Sequence, residues 1–184
     1  SGSVPYGLLL SKLSGLGDIR KAGSGNIGAT NVLRLGGKKL AAATLILDAL
    51  KGTIPVLIAG HFQMDYAIMA ALGAFIGHLF PVWLRFKGGK GVAVGLGIAF
   101  GLSWMLGIIL CLIWLATALL SGYSSLSALT AFGLAPLIAG LITTDFQIVV
   151  VMVLIAAAIW IKHKDNLKRL SAGTESKINL HTKK

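Results

Sequence analysis

The sequence predicts an all-α fold, a polytopic membrane helix bundle of about seven membrane segments. Three observations support this prediction. The mean hydropathy is +0.83. Charged residues make up 12% of the chain, against about 25% in soluble domains. Residues 92–144 contain no charged residue at all. Because about 18 consecutive apolar residues already indicate a membrane helix, this composition excludes an ordinary soluble domain.

Lysine and arginine are confined almost entirely to three clusters. The clusters are residues 12–39, 85–90 and 162–184. The links at residues 60–65, 101–104 and 143–145 carry neither residue, and of 17 lysines and arginines only Lys51 lies outside the clusters. A net charge of +11 can indicate nucleic-acid binding, but this distribution is typical of the positive-inside rule. It predicts cytoplasmic basic loops and no nucleic-acid partner.

The same charge pattern decides the number of segments. A single helix over residues 91–120 would place the C-terminal basic cluster on the opposite side of the membrane, whereas a break near 101–104 places all three clusters on one side. The predicted segments are about 1–14, 38–59, 66–84, 91–102, 104–120, 125–142 and 146–162. The fourth is shorter than the ~20 residues of a full span, so it is expected to be tilted or re-entrant.

A single integral-membrane domain is predicted over residues 1–184. The first segment is short and the chain begins at Ser1 rather than at a methionine, so part of the first helix is expected to precede this sequence. That segment lacks the basic n-region of a cleaved signal peptide. Cys111 is the single cysteine, which excludes a disulfide within the chain.

The first polar motif is GSGNIGATNVLR at residues 23–34. It matches G-x-G-x-x-G, but a dinucleotide site requires a strand before the glycines, and membrane helices are predicted on both sides. Glycines allow backbone N–H groups to approach an anion, and the polar side chains can bind phosphate. The alternative is a flexible connector with helix-capping residues. The candidate binding residues are Gly23, Ser24, Gly25, Asn26, Gly28, Thr30, Asn31 and Arg34.

The second polar motif is GHLFPVWLRFKGGKG at residues 77–91. A membrane helix is predicted to end near Phe86, and the glycines and lysines then lead into the next segment. A helix N-terminus at that point would add N–H donors and a positive dipole for an anion. The alternatives are a basic cytoplasmic turn and a histidine that only packs between helices. The candidates are His78, Lys87, Gly88, Gly89, Lys90 and Gly91.

The third polar motif is KHKDNLKRL at residues 162–170. The spacing of three residues predicts His163, Asn166 and Arg169 on one helical face. The alternative is a basic helix that rests on anionic lipid.

An acid and a base also lie inside the second predicted helix. Asp48 and Lys51 are spaced so that they can pair. An unpaired charge inside the membrane costs roughly 2.5–3.5 kcal/mol on insertion scales. The sequence leaves open whether the two residues form a structural ion pair or take part in a binding site.

Five stretches occur together in one order: GSGNIGATNVLR, LDALKG, GHLFPVWLRFKGGKGVA, SGYSSL and KHKDNLKRLSAGTESKI. Over essentially its whole length the chain resembles the bacterial acyl-phosphate-dependent glycerol-3-phosphate acyltransferases. The resemblance implies transfer of a fatty acyl group from a long-chain acyl phosphate to the 1-hydroxyl of sn-glycerol 3-phosphate. The products would be lysophosphatidate and phosphate, in the first acylation of phospholipid synthesis.

The resemblance also implies roles for particular residues. Ser24, Arg34, His163 and Asn166 are expected to be catalytic, and the loop at residues 88–91 is expected to bind the phosphate of glycerol 3-phosphate. Glu175 is expected to be structural. No metal or other cofactor is expected, and the implied location is the bacterial cytoplasmic (inner) membrane, with membrane lipid around the chain and the active site facing the cytoplasm.

Direct acyl transfer is expected, because no Ser-His-Asp or Cys-His arrangement is evident. Acyl phosphate is an activated donor, so the protein has mainly to position the hydroxyl and stabilise the oxyanion. Either His163 or a phosphate oxygen of a substrate can serve as the base. The His-x4-Asp motif of the other glycerol-phosphate acyltransferases is absent.

Two other classes of function fit part of the pattern. A transporter or channel for an anionic metabolite would share the hydropathy and the basic loops, but it predicts cations on both faces and often an internal repeat. A basic scaffold that binds anionic lipid would not require the glycines.

Overall fold

The computed structural model of the chain describes residues 1–178, and within this range it contains eight α-helices, two short 3₁₀ helices and no β-strand. The 3₁₀ helices are Ile19–Lys21 and Val82–Leu84. The α-helices are α1 Tyr6–Leu13, α2 Ala29–Gly60, α3 Met64–Leu79, α4 Val92–Leu102, α5 Trp104–Ser121, α6 Ser124–Ile142, α7 Phe146–Lys162 and α8 Lys164–Ser171. The all-α prediction is confirmed.

Each of the seven predicted segments corresponds to one of the helices α1–α7. Among the described residues, four helical stretches are long and apolar enough to cross a membrane, and α7 with α8, bent by 60°, would make a fifth. Helix α4 has 11 residues, as short as expected for the fourth segment. The total of seven membrane segments stays a prediction.

Helix α2 begins earlier than predicted. The expected start was about residue 38, but helical structure begins at Ala29 after an extended N-cap at Gly28. Gly37, with φ 79° and ψ −179°, interrupts the helix, so residues 29–36 form a short helix separated by a kink from the rest of α2. The expectation that Thr30, Asn31 and Arg34 lie in a loop was therefore wrong. Residues 29–35 contain no glycine or proline to stop a helix.

Helix α3 ends earlier than predicted, at Leu79 rather than near Phe86. The physical reason is the Phe80-Pro81 pair, since proline disfavours helical backbone in the residue before it and lacks an N–H donor. One 3₁₀ turn follows, and then Arg85 and Phe86 both adopt positive φ angles of 51° and 62°. The chain reverses there, which returns the next residues to the end of α3.

The chain divides into two compact units, Ser1–Gly107 and Ile108–Lys184. In the first unit, α2 packs against α1, α3 and α4. The contact between α2 and α4 is close because Gly97 and Gly52 face backbone of the other helix: a Cβ at Gly97 would overlap the Ala49 carbonyl, and one at Gly52 would lie 2.6 Å from Val94 O. Small residues at such crossings are typical of membrane helices.

In the second unit, α6 packs against α7, and α8 contacts both of these helices. The outward faces are apolar: Leu120 and Leu141 in α5 and α6 are 89% and 76% exposed. This is the arrangement expected for helices in lipid rather than in water. The single domain over residues 1–184 stays a prediction.

Candidate active site

Asn31 holds the first motif in shape. Its Oδ1 accepts a hydrogen bond from the Ser24 backbone N–H at 2.8 Å, and its Nδ2 lies 3.0, 3.2 and 2.9 Å from the carbonyl oxygens of Ile19, Ala22 and Asn26. Asn31 is 1% exposed. The amide that was predicted to bind substrate therefore stabilises the loop at residues 23–28, which we call the glycine loop.

The glycine loop depends on backbone that other residues rarely adopt. Gly23 and Gly25 have φ angles of 59° and 69°, and a Cβ at Gly23 would overlap Asn31 Oδ1. Asn26 Oδ1 accepts from the Gly28 N–H at 2.8 Å, a side-chain turn that leads into the N-terminus of α2. The backbone of the loop therefore requires glycine at residues 23 and 25.

The second motif folds back on the end of α3. The backbone N–H groups of Gly88 and Gly89 donate to the carbonyls of Leu79 and His78, each at 3.2 Å. His78 is 5% exposed, and a Cβ at Gly89 would overlap its imidazole ring. The N–H groups of these two glycines are thus used inside the fold.

The N-terminus of α4 lies directly after this loop. Gly91, with φ 87°, is the N-cap, and the helix begins at Val92. The first N–H groups of an α-helix have no partner within the helix, and they point at any anion bound there. The predicted helix N-terminus after the second motif is therefore confirmed, and it supplies donors that Gly88 and Gly89 do not.

The two motifs meet in a pocket of about 260 Å³ in the first unit. It is lined by Arg20, Ser24, Gly25, Asn26, Ile27, Lys87 and Gly88. Two cations, a hydroxyl, an amide and glycine backbone in one pocket are suited to a phosphate group. We call this the anion pocket.

Arg20 lines the anion pocket, although it was not among the residues predicted from the sequence. The signal available was an acid and a base two residues apart, Asp18 and Arg20, immediately before the glycine loop. Conversely, the predicted residues Thr30, Arg34 and Lys90 are not among the lining residues. Arg34 is exposed on the first part of α2.

Asp48 and Lys51 form a buried ion pair, with Lys51 Nζ 2.7 Å from Asp48 Oδ1; the side chain of Lys51 is 1% exposed and that of Asp48 is 3% exposed. Lys51 Nζ also donates to the Val4 carbonyl at 2.7 Å and lies 5.6 Å from the centre of the Tyr6 ring. The pair links the start of α1 to the middle of α2. The hydrogen bond to the carbonyl compensates part of the cost of burying the charge.

In the second unit, Glu175 organises the third motif. Its Oε1 accepts from Ser125 Oγ at 2.8 Å and from Asn166 Nδ2 at 2.6 Å, and its Oε2 accepts from Arg169 Nε at 2.6 Å. Desolvation raises the pKa of Glu175, but the three hydrogen bonds outweigh it and hold the pKa below its ordinary value. The carboxylate is therefore ionised at neutral pH, and Ser125 is a partner that the sequence did not indicate.

His163 lies at the junction of α7 and α8 rather than inside one helix. The prediction of a continuous helical face is wrong at this residue, whereas Asn166 and Arg169 do share a face, since both donate to Glu175. His163 is buried, and its Nδ1 is 2.8 Å from the Ile159 carbonyl oxygen. A carbonyl can only accept, so Nδ1 carries a proton and Nε2 is the acceptor in the neutral ring.

The segment after α8 returns to the start of α6. The Ile178 N–H donates to the Gly122 carbonyl at 2.8 Å, and Lys177 Nζ lies 5.6 Å from the centre of the Tyr123 ring. These contacts bring the stretches SGYSSL and SAGTESKI together in the second unit. The third basic cluster continues to residue 184, and its last six residues lie outside the described range.

Comparison with known proteins gives one consistent result. A family model described as glycerol-3-phosphate acyltransferase matches residues 1–173. The glycerol-3-phosphate acyltransferase of Mesorhizobium japonicum is 60% identical over 177 residues, which cover 96% of this chain and 90% of that protein. The enzyme of the same name from Brucella canis is 57% identical over 177 residues, 96% and 88% of the two chains.

Solved structures agree with these matches. The crystal structure of PlsY (YgiH), an integral membrane glycerol 3-phosphate acyltransferase, in its glycerol 3-phosphate form has a TM-score of 0.92 and 38% identity. Its lysophosphatidic acid form has a TM-score of 0.89 and 37% identity. Each match covers 96% of this chain and 89% of the other. This chain therefore belongs to the glycerol-3-phosphate acyltransferase family.

Proposed function

We propose that the chain transfers a fatty acyl group from acyl phosphate to the 1-hydroxyl of sn-glycerol 3-phosphate. The products are 1-acyl-glycerol 3-phosphate (lysophosphatidate) and inorganic phosphate, and the reaction is the first acylation of phospholipid synthesis. The observation that carries the proposal is the anion pocket, where the glycine loop meets Lys87 and Gly88. Both proposed substrates carry a phosphate, and such a pocket suits a phosphate.

The phosphate of glycerol 3-phosphate is assigned to the loop at residues 88–91. Support comes from its backbone, because the bonds from Gly88 and Gly89 to the end of α3 hold the loop rigidly in front of α4. A phosphate there would receive N–H donors from the first turn of α4 and the charge of Lys90. Arg34 and Ser24 are assigned to the reacting groups, where Arg34 can offer a planar pair of donors.

His163 and Asn166 keep the roles that the resemblance implies, as groups that position or deprotonate the acceptor hydroxyl. His163 Nε2 is the ring nitrogen able to accept a proton, since Nδ1 donates to Ile159. Asn166 Nδ2 donates to Glu175, and this bond fixes the orientation of the Asn166 amide. The alternative base is a phosphate oxygen of a substrate, and a His163→Gln variant that retained its pH–rate profile would favour it.

The proposed location is the bacterial cytoplasmic membrane, with the catalytic loops on the cytoplasmic side. The long acyl chains of donor and product partition into lipid, whereas glycerol 3-phosphate is water-soluble. A site among loops at the membrane surface gives both kinds of substrate access. The one-sided distribution of lysine and arginine supports this orientation.

The test of the proposal is a direct assay of purified protein in detergent with glycerol 3-phosphate and a long-chain acyl donor. With acyl phosphate, we expect lysophosphatidate and inorganic phosphate to appear in equal amounts. With acyl-CoA, we expect no product above the background of a preparation that lacks the protein. Comparable turnover of acyl-CoA would contradict the choice of donor.

A second arm distinguishes the enzyme from a transporter. Proteoliposomes that contain the protein should not accumulate labelled glycerol 3-phosphate when no acyl donor is present. Accumulation without acylation would contradict the proposed function and favour an anion transporter.

A further inference from the structure

Arg20 is held in place by Asp18. Arg20 Nε lies 2.8 Å from Asp18 Oδ1, Nη2 lies 2.5 Å from Oδ2, and the Arg20 backbone N–H donates to Oδ1 at 3.0 Å. Two parallel bonds to one carboxylate fix the plane of a guanidinium. Because the Arg20 side chain is 39% exposed, its orientation depends on this pair rather than on burial.

The pair leaves donors of Arg20 available in a fixed direction. A guanidinium carries five N–H donors, and Asp18 receives its bonds from Nε and Nη2. The two N–H groups of Nη1 do not bind Asp18. The side-chain hydrogen bond from Arg20 lowers the pKa of Asp18 well below its ordinary range, so the carboxylate stays ionised under assay conditions and keeps the guanidinium oriented.

The surroundings of Arg20 are those of a phosphate site. Lys87 lines the same pocket, together with Ser24 and Asn26. Asp18 is not among the lining residues, and its carboxylate oxygens accept from the guanidinium. A phosphate in the pocket would meet two cations and two polar side chains, and a carboxylate would not repel it from the lining.

We propose that Arg20 binds the phosphate of the acyl donor in the anion pocket, and that Asp18 is the positioning residue for Arg20. This inference rests on the proposed function. In the proposed function, the loop at residues 88–91 and the N-terminus of α4 bind the phosphate of glycerol 3-phosphate. The pocket against the glycine loop is then the site for the second phosphate that the reaction requires.

The chemistry gives Arg20 a reason to act on this phosphate. The bond between the acyl carbon and the phosphate oxygen breaks, and its electron pair goes to that oxygen. The hydroxyl oxygen of glycerol 3-phosphate forms the new ester bond, and its proton passes to the base. Negative charge on the donor phosphate therefore increases during transfer, and a guanidinium fixed beside it binds the leaving phosphate more tightly than the intact donor.

The experiment compares Arg20→Gln and Arg20→Lys with Lys21→Gln, all in the full chain purified in detergent. Lys21 is an exposed cation in the same 3₁₀ helix and does not line the pocket, so its variant controls for loss of one charge. Arg20→Gln should raise the KM for acyl phosphate and the competitive inhibition constant of inorganic phosphate about 10-fold each. It should also lower kcat, because the lost contact is stronger at the leaving phosphate than at the intact donor. The KM for glycerol 3-phosphate should stay within about 2-fold of wild type. Arg20→Lys should recover only part of the loss, because a point charge lacks the planar fork.

Asp18→Asn tests the positioning role. It should weaken inhibition by inorganic phosphate in the same direction as Arg20→Gln but to a smaller extent, because the guanidinium is still present and only its orientation is lost. A residue that merely supports the fold would lower the thermal unfolding midpoint in detergent without changing the inhibition constant of phosphate. That second pattern would overturn the positioning role.

The outcomes separate this inference from the proposed function. Inactivity of the wild-type chain with acyl phosphate would contradict the proposed function itself. An active wild type whose KM for acyl phosphate and phosphate inhibition are unchanged in Arg20→Gln would overturn only the role of Arg20. A selective rise in the KM for glycerol 3-phosphate would also overturn it, because the pocket would then serve the acceptor.

Discussion

At the scale of single residues, the contact between Gly89 and His78 shows how the second motif works. The sequence suggested that glycine is needed there so that an anion can approach the backbone. In the structure, the Gly89 N–H donates to His78 O, and its Cα faces the buried imidazole of His78. Glycine is required at this position because a histidine ring occupies the space of a side chain.

A Gly89→Ala substitution should therefore raise the KM for glycerol 3-phosphate. The new methyl group would have to displace His78 or the loop, and overpacking of this kind costs about 1–3 kcal/mol. Displacement of the loop should raise the KM for glycerol 3-phosphate about 10-fold, with a smaller effect on the KM for acyl phosphate. Steady-state kinetics in both substrates measures this.

Gly73→Ala is the matched control for that variant. Gly73 lies on α3, the helix that carries His78, and a Cβ there would meet nothing within 4 Å. It should leave both KM values unchanged. Wild-type kinetics and wild-type thermal stability in Gly89→Ala would show that the His78 contact does not constrain the loop.

At the scale of elements, Glu175 joins three parts of the second unit. It connects the segment after α8 to Ser125 at the start of α6 and to Asn166 and Arg169 on α8. The side chain of Glu175 is 5% exposed. One carboxylate thus holds Asn166, a proposed catalytic residue, in a defined orientation.

Glu175→Gln should lower the thermal unfolding midpoint at pH 7. A neutral amide accepts weaker hydrogen bonds from Arg169 and Asn166, and its NH₂ group cannot accept at all, which should cost about 1–3 kcal/mol. Asp165→Asn, on the exposed side of α8, is the matched control for loss of one negative charge and should remain close to wild type. Thermal unfolding in detergent measures both.

The difference in thermal unfolding midpoint between wild type and Glu175→Gln should become smaller as the pH falls. The pKa of Glu175 is lowered in the folded protein. The stability that the ionised carboxylate contributes is therefore fully present above the pKa of glutamate in the unfolded chain, about 4.3. It is lost as the pH falls through the lower folded pKa, because the carboxylate must then be protonated. A difference that stays constant from pH 7 to the acid limit of folding would show that charge is not the cause.

At the scale of the whole molecule, the distribution of charge predicts how each unit is placed in the membrane. In the first unit, the link between α2 and α3 has no lysine or arginine, whereas the glycine loop and the second motif are basic. In the second unit, the link between α6 and α7 has neither, whereas α8 is basic. The positive-inside rule therefore predicts the orientation of each unit separately.

Cysteine labelling in intact cells tests this orientation on a Cys111→Ala background. Cysteines at Gln63 and Thr144 should react with an impermeant thiol reagent added from outside. Cysteines at Lys38 and Lys164 should react only after the cells are opened. The opposite pattern would be labelling of Lys38→Cys or Lys164→Cys in intact cells, with Gln63→Cys or Thr144→Cys protected. It would show that the topology is the reverse of the predicted one, and it would contradict a cytoplasmic active site.

Several elements were predictable because they depend on neighbouring residues. The break between α4 and α5 was expected near residues 101–104, and the helices end and begin at Leu102 and Trp104. Errors arose where a local signal was misjudged. The helical start of α2 was hidden by the glycine-rich stretch before it, and the end of α3 at Leu79 was overlooked although Pro81 follows.

The sequence by itself determined that this is a helical membrane protein with glycine-dependent loops and a set of family motifs, because hydropathy, charge placement and glycine are properties of short stretches. Only the tertiary structure decided which distant residues meet. Arg20 and Lys87 line one pocket, and Ser125 binds Glu175 across 50 residues of chain. Side chains so far apart in the sequence come together only through helix packing and chain reversal, and no local pattern specifies that geometry.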